Sequence, residues 1–223
     1  MSFALPNGSR VYVQKTKDIA YNFETISNAK EAVIVLKTGH GIVVGDEVII
    51  TSSWSKLNNV VAKVVLVNNT EVTLGNINTT NTKLFPAGEG KGTITKIKEW
   101  EQIPQVKEVS SEGGEQQFIQ IQFLEDDIEK QLPTIKSAKS KSYTIAHDSS
   151  LSIYGLLQEL DQTNEIVAMK MYVPKAQETR YDSVRISFDP TPVTAINDIE
   201  TVKVTATVES PAITFYKSKE TEN

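Results

Sequence analysis

Apolar and polar residues alternate with a period of two along most of this chain, and nothing else in the sequence constrains the fold so strongly. The alternation runs through Val11-Tyr12-Val13, Glu31 to Lys37, Glu47 to Ser52, Asn59 to Val67, Thr93 to Lys98, Gln116 to Leu124, Ile166 to Val173 and Val202 to Val208. Successive side chains of a strand point to opposite faces, so such a pattern builds half-buried sheet. Residues that tolerate positive φ or fix a bend separate these runs, at Gly39-His40-Gly41, Asn68-Asn69, Gly113-Gly114 and Asp189-Pro190. The reading is a mainly β protein.

One segment departs from the period. Ile153, Leu156, Leu157 and Leu160 fall at i, i+3, i+4 and i+7, which predicts an amphipathic helix near 150–162 with those four on its core stripe. Asp148, Ser149 or Ser150 is placed to cap its start, and Thr163-Asn164 suits its exit. Burying the stripe contributes roughly 6–12 kcal/mol before entropy is subtracted, enough to make the helix a lid on one sheet face.

Residues 31–98 read as a unit of their own, five short strands joined by tight turns, the pattern of a small closed or nearly closed β-barrel. It reads as an insertion into the first loop of a larger domain made of 1–30 and 99–216. Asn76 to Gly92, rich in Asn, Thr and Gly, reads as loop, and 217–223 as a flexible polar tail.

Composition narrows the chemistry. With no cysteine, the chain has no disulfide framework, thiolate nucleophile or Cys-based zinc site, and two histidines supply little for metal or general-base work. A net charge of −5 argues against gripping nucleic acid, which needs clustered Lys and Arg. No apolar run is long enough to cross a bilayer, and Met1 to Pro6 lacks a basic stretch leading into an apolar one, so synthesis and folding in cytoplasm are expected, with no membrane partner. Glu125, Asp126 and Asp127 are adjacent, so a strand would splay them rather than converge them as a catalytic pair. His40 reads as a turn residue, Gly88 to Gly92 as a flexible connection without phosphate-loop spacing, and Trp54 and Trp100 as packing residues. The expectation is no enzyme, no cofactor and no metal.

Several segments resemble, in the same order, those of phage tail tube proteins. They are Leu5-Pro6-Asn7-Gly8, Thr51 to Asn58, Leu84 to Gly90, Gly113 to Phe118, Gln122 to Asp127 and Gln131 to Ala138. The resemblance spans nearly the whole chain and is to tubes of non-contractile tails. It implies a β-sandwich, or tube-forming barrel, flanked by one helix, whose strands join across subunits into hexameric rings that stack head to tail. It implies as partners the chain itself, the tape-measure protein in the lumen, the tail terminator and distal tail proteins, and double-stranded DNA as a transient, non-specific passenger. It places the protein in the virion tail after synthesis in host bacterial cytoplasm, with the inserted domain decorating the outside. The segment Pro174 to Thr179 replaces a tighter Pro-Asn-Gly-type turn of many relatives.

Strand assembly between subunits asks for two-faced strands. In Gln116 to Leu124 one face holds Gln117, Ile119, Ile121 and Phe123 and the other Gln116, Gln120 and Gln122, with Phe118 as its apolar exception. Thr134 to Ala146 reads as its partner strand, with Lys136, Ser140, Ser142 and Thr144 on one side. Gln116, Phe118, Gln120, Gln122, Lys136, Ser140 and Ser142 are therefore the candidates for inter-subunit or lumen contacts. The connection from Glu125 to Pro133, with Glu125, Asp126, Asp127 and Glu129 against Lys130, is the candidate for ring stacking, expected to order on stacking; a solvated hairpin tip is the plain alternative. A competing function is a binding module, with the small barrel recognising a carbohydrate or a protein strand.

Overall fold

The structure, a computed structural model, describes residues 5–217. Beyond Lys217 itself, the tail expected at 217–223 lies outside the described residues. In chain order the strands are β1 (Arg10–Phe23), β2 (Thr25–Ile26), β3 (Val33–Val35), β4 (Glu47–Ser52), β5 (Val60–Asn68), β6 (Glu71–Leu74), β7 (Gly92–Ile103), β8 (Val106–Gly113), β9 (Gln116–Ile121), β10 (Lys130–Lys136) and β11 (Lys139–Ala146). The helix α1 (Ser152–Thr163) follows, then β12 (Val167–Val173), β13 (Glu178–Val193), β14 (Thr201–Val208) and β15 (Thr214–Lys217). The protein is mainly β with one flanking helix, as the alternation predicts.

Thirteen strands are hydrogen-bonded in the order β2-β3-β6-β5-β4-β7-β1-β12-β13-β14-β11-β8, with β15 on β13, in an open, curled half-barrel. The long pair β1 and β7 is its spine, antiparallel from Val11 opposite Ile103 to Phe23 opposite Gly92. At one end of that ladder Phe23 and Ile94 enter a core with Ile34, Ile50, Leu57 and Leu74. At the other, Val11, Val13 and Ile103 enter a second core with Val184, Ile186, Val204 and the helix. A third, smaller cluster joins them, where Ile49, Val61 and Ile97 meet Ala168, Tyr181 and Tyr216. Within that joint the Glu47 carboxylate takes the Tyr181 hydroxyl and, at 2.9 Å, the Lys170 ammonium, which lies 4.4 Å over the Trp100 ring. Trp100 thus packs, half-buried, as expected.

The helix covers the second core with Ile153, Tyr154, Leu157 and Leu160, while Leu156 is half-buried at the edge. Tyr154 can turn inward because its polar tip is satisfied: the hydroxyl meets His147 Nδ1 at 3.0 Å and accepts from the Asp148 N–H, and the ring packs edge-on against Phe188. The helix exits through Asn164 in the left-handed region, its N–H on the Leu160 carbonyl. At the start Leu151 holds the cap position with no side-chain bond, and Asp148 instead accepts from Ser150 just upstream.

Three sequence expectations change locally. The single strand expected from Thr134 to Ala146 is two, β10 and β11, in different sheets, with Lys136 on the first and Ser140 and Ser142 on the second. The 76–92 connection is irregular but packed: Phe85 and Thr79 are buried, the Trp54 indole donates to the Pro86 carbonyl at 3.0 Å, and a Cβ on Gly90 would stand 2.1 Å from an Ile26 methyl. His40 is buried, with Nδ1 accepting from the Ile42 N–H and Nε2 donating to the Asn69 carbonyl, so both ring nitrogens are spent on structure. Pro174 to Ala176 forms a short 3₁₀ turn closed by Gln177 at positive φ, a longer tip on the β12–β13 hairpin.

Candidate assembly surface

The half-barrel ends at β8, which pairs with β11 on one side and with no described strand on the other. Seven of its eight residues are exposed. Such an edge carries a row of unpaired N–H and C=O groups, a template for another strand.

Immediately after β8 the chain leaves the sheet. Gly113 and Gly114 both take positive φ, and the Ser137 hydroxyl accepts from the N–H groups of Gly114 and Glu115 while donating to the Glu115 carboxylate at 2.7 Å. That bond holds the Glu115 carboxyl below the usual carboxylate range. This knot anchors the separate two-stranded hairpin β9–β10, in register from Lys130 opposite Ile121 to Pro133 opposite Phe118. Pro133 lacks an N–H and is tolerated because a two-stranded ribbon is all edge.

Both faces of the hairpin are uncovered. Phe118 is 54 % exposed, Ile119 50 %, its cross-strand neighbour Leu132 46 % and Ile135 73 %. Gln116 is half-buried at the base, Gln120 is exposed, and Gln122 lies just past the end of β9. At the tip Phe123, Leu124 and Ile128 stand free beside Glu125, Asp127 and Glu129, and Lys130 closes the turn on Asp126 at 2.7 Å. Lys130 to Pro133 is already strand in the single chain, so the segment left irregular is shorter than the expected 125–133. An isolated two-stranded hairpin with apolar side chains exposed on both faces gains little stability in water.

Residues 52–218 match the family model for phage tail tube proteins. The chain belongs to that family. No curated protein matches it. As a tail tube protein it is a structural component of the phage virion tail, and it assembles with itself and with other tail proteins. Among the described residues no helix is long and apolar enough to cross a membrane.

The four strands nearest the free edge present a second feature of this tail tube protein. Away from α1, the paired positions are Glu108, Ser110 and Glu112 on β8, Ser140, Ser142 and Thr144 on β11, Lys203, Thr205 and Thr207 on β14, and Arg185, Ser187 and Asp189 on β13. That face is a field of small hydroxyls with charges of both signs. β8 escapes a sequence reading because its apolar residues, Val106 and Val109, stand three apart and not two.

Proposed function

We propose that this tail tube protein closes into hexameric rings that stack head to tail, forming the hollow conduit through which DNA passes during genome delivery. The free β8 edge finds its complement on the neighbouring subunit, and the hydroxyl-rich face of β8, β11, β14 and β13 lines the lumen. DNA carries about one negative charge per 1.7 Å of axis, so a lumen of Ser and Thr in which acidic residues outnumber basic ones lets it slide. The tape-measure protein occupies that lumen before ejection, and the terminator and distal tail proteins close the two ends. Synthesis takes place in the host cytoplasm. Residues 31–98 act as an inserted domain on the tube's exterior, carried by a larger domain of 1–30 and 99–216.

The observation that carries the reading is the β9–β10 hairpin, apolar on both faces and uncovered in the single chain. Its tip, Glu125 to Lys130, contributes to stacking between rings. Negative-stain microscopy of concentrated protein tests the tube, which should show rings or long hollow fibres; a strictly monomeric protein absent from purified virions refutes it. Deleting Asp126 and Asp127 should leave a folded monomer that polymerises poorly, and unchanged fibres would rule the tip out.

A further inference from the structure

A groove of about 800 Å³ opens at the hairpin's own base, between the end of β8, the start of β11 and the 208–213 segment that leads into β15. It adjoins a second cleft of similar size under Val109, Tyr143 and Met171, sharing Ser111, Lys141 and Ile213 with it. Its charge is one-sided: Lys56, Lys136, Lys139 and Lys141 line it against Glu112. Lys141 is ion-paired with Asp182 behind it, while Lys56, Lys136 and Lys139 make no ion pair among the described residues.

One buried polar group of the groove is left over. Ser210 lines the groove and is 9 % exposed, yet its hydroxyl oxygen has no hydrogen-bond partner. Buried polar groups in folded proteins are almost always satisfied, so an unpartnered hydroxyl in a cationic groove points to a group that completes the site, and a hydroxyl can donate to a carboxylate.

The hairpin tip has the complementary chemistry. Glu125, Asp126, Asp127 and Glu129 outnumber Lys130, and the exposed Phe123, Leu124 and Ile128 match the apolar Ile135, Val208 and Ile213 of the groove. A tip cannot reach the groove at its own base: at about 3.3 Å per residue, the strands of β9 and β10 hold it roughly 20 Å away. We infer that the tip of one copy docks in the groove of the next, its carboxylates on Lys56, Lys136 and Lys139 and its apolar side chains over Ile213. The second copy is supplied by the tube reading, on which this rests. The contact is heterologous, different surfaces on the two copies, as head-to-tail growth requires.

The absence of cysteine makes the test clean. Full-length Leu124→Cys and a tagged Ala212→Cys, both at exposed positions, are mixed under mild oxidation, so a mixed disulfide can form only between copies. The inference expects that heterodimer. It also expects a roughly tenfold loss of yield when Lys136→Glu and Lys139→Glu are added to the groove variant, the size set by two partly exposed pairs turned repulsive, and recovery when the tip variant carries Glu125→Lys and Asp127→Lys. Thermal melts of each variant check folding. Tubes without the heterodimer overturn the groove and leave the tube standing; the heterodimer without tubes or rings supports the groove and sinks the tube. Duplex DNA retained by the parent chain and released by the lysine reversals, with no heterodimer, overturns the inference in favour of a nucleic-acid surface.

Discussion

Gly113 approaches Ala138 so closely that a Cβ on it would stand 1.8 Å from the Ala138 carbonyl oxygen. The contact lies where the chain leaves β8 for the hairpin and where β10 hands over to β11, so it sets the angle at which the hairpin departs. Its φ of +81° adds a second reason for glycine. Gly113→Ala should cost about 1–3 kcal/mol, read as a lower urea midpoint. It should also lose tube formation, because the hairpin is re-aimed. Normal tubes would show that the departure angle is not critical.

Ile119 and Leu132 face each other across the hairpin with both side chains in water. Replacing both by serine should change monomer stability by no more than about 0.5 kcal/mol, since neither is buried, while sedimentable tubes disappear. A large drop in monomer stability would mean that the hairpin packs on its own chain.

Tyr216 ties β15 to β5 and to the turn after β6: its hydroxyl accepts from the Lys63 N–H at 3.0 Å and donates to the Gly75 carbonyl. Burial pushes its pKa up from 10.0 to about 12, and burial also raises Tyr143 and Tyr181, the latter helped by Glu47. A raised folded pKa favours the protonated folded state. The stabilisation is therefore whole below pH 10 and lost as pH climbs through about 12. Phenolate absorbance from these three tyrosines should appear together with unfolding. Tyr216→Phe leaves the Lys63 N–H and Gly75 carbonyl unpaired and should cost about 1–3 kcal/mol at neutral pH.

Leu157 is completely buried at the centre of the helix face. Leu157→Ala should cost about 2–5 kcal/mol through the cavity it leaves, seen as a lower melting temperature. Below that temperature assembly should persist, since the helix packs on the face of the sheet away from the proposed lumen.

Strand positions are legible where apolar and polar residues alternate over a run of six or more, and the four-residue β15 goes unread although one of its faces is buried. Glu47 to Ser52 matches β4 residue for residue, and the ranges around β5, β12 and β14 shift by a residue or so. β8 is missed because its apolar Val106 and Val109 break the period of two, and the break at Ser137-Ala138 is hidden because neither residue is a strong strand breaker. The helix was found, but its buried face includes Tyr154 where Leu156 was expected. A periodicity count treats tyrosine as half polar and cannot see that His147 and Asp148 satisfy its hydroxyl.

Alternation, the helical stripe and the absent cysteines determined by themselves a mainly β protein with one helix and no disulfide framework, because local periodicity reports which side chains must leave water. Only the tertiary structure decided that β1 and β7 thread two cores, that β9 and β10 stand apart from the main sheet, and that Lys56, Lys136, Lys139 and Ser210 share one groove. Those relationships join residues far apart in sequence, and a one-dimensional pattern records which face a residue takes but not the neighbour it meets there.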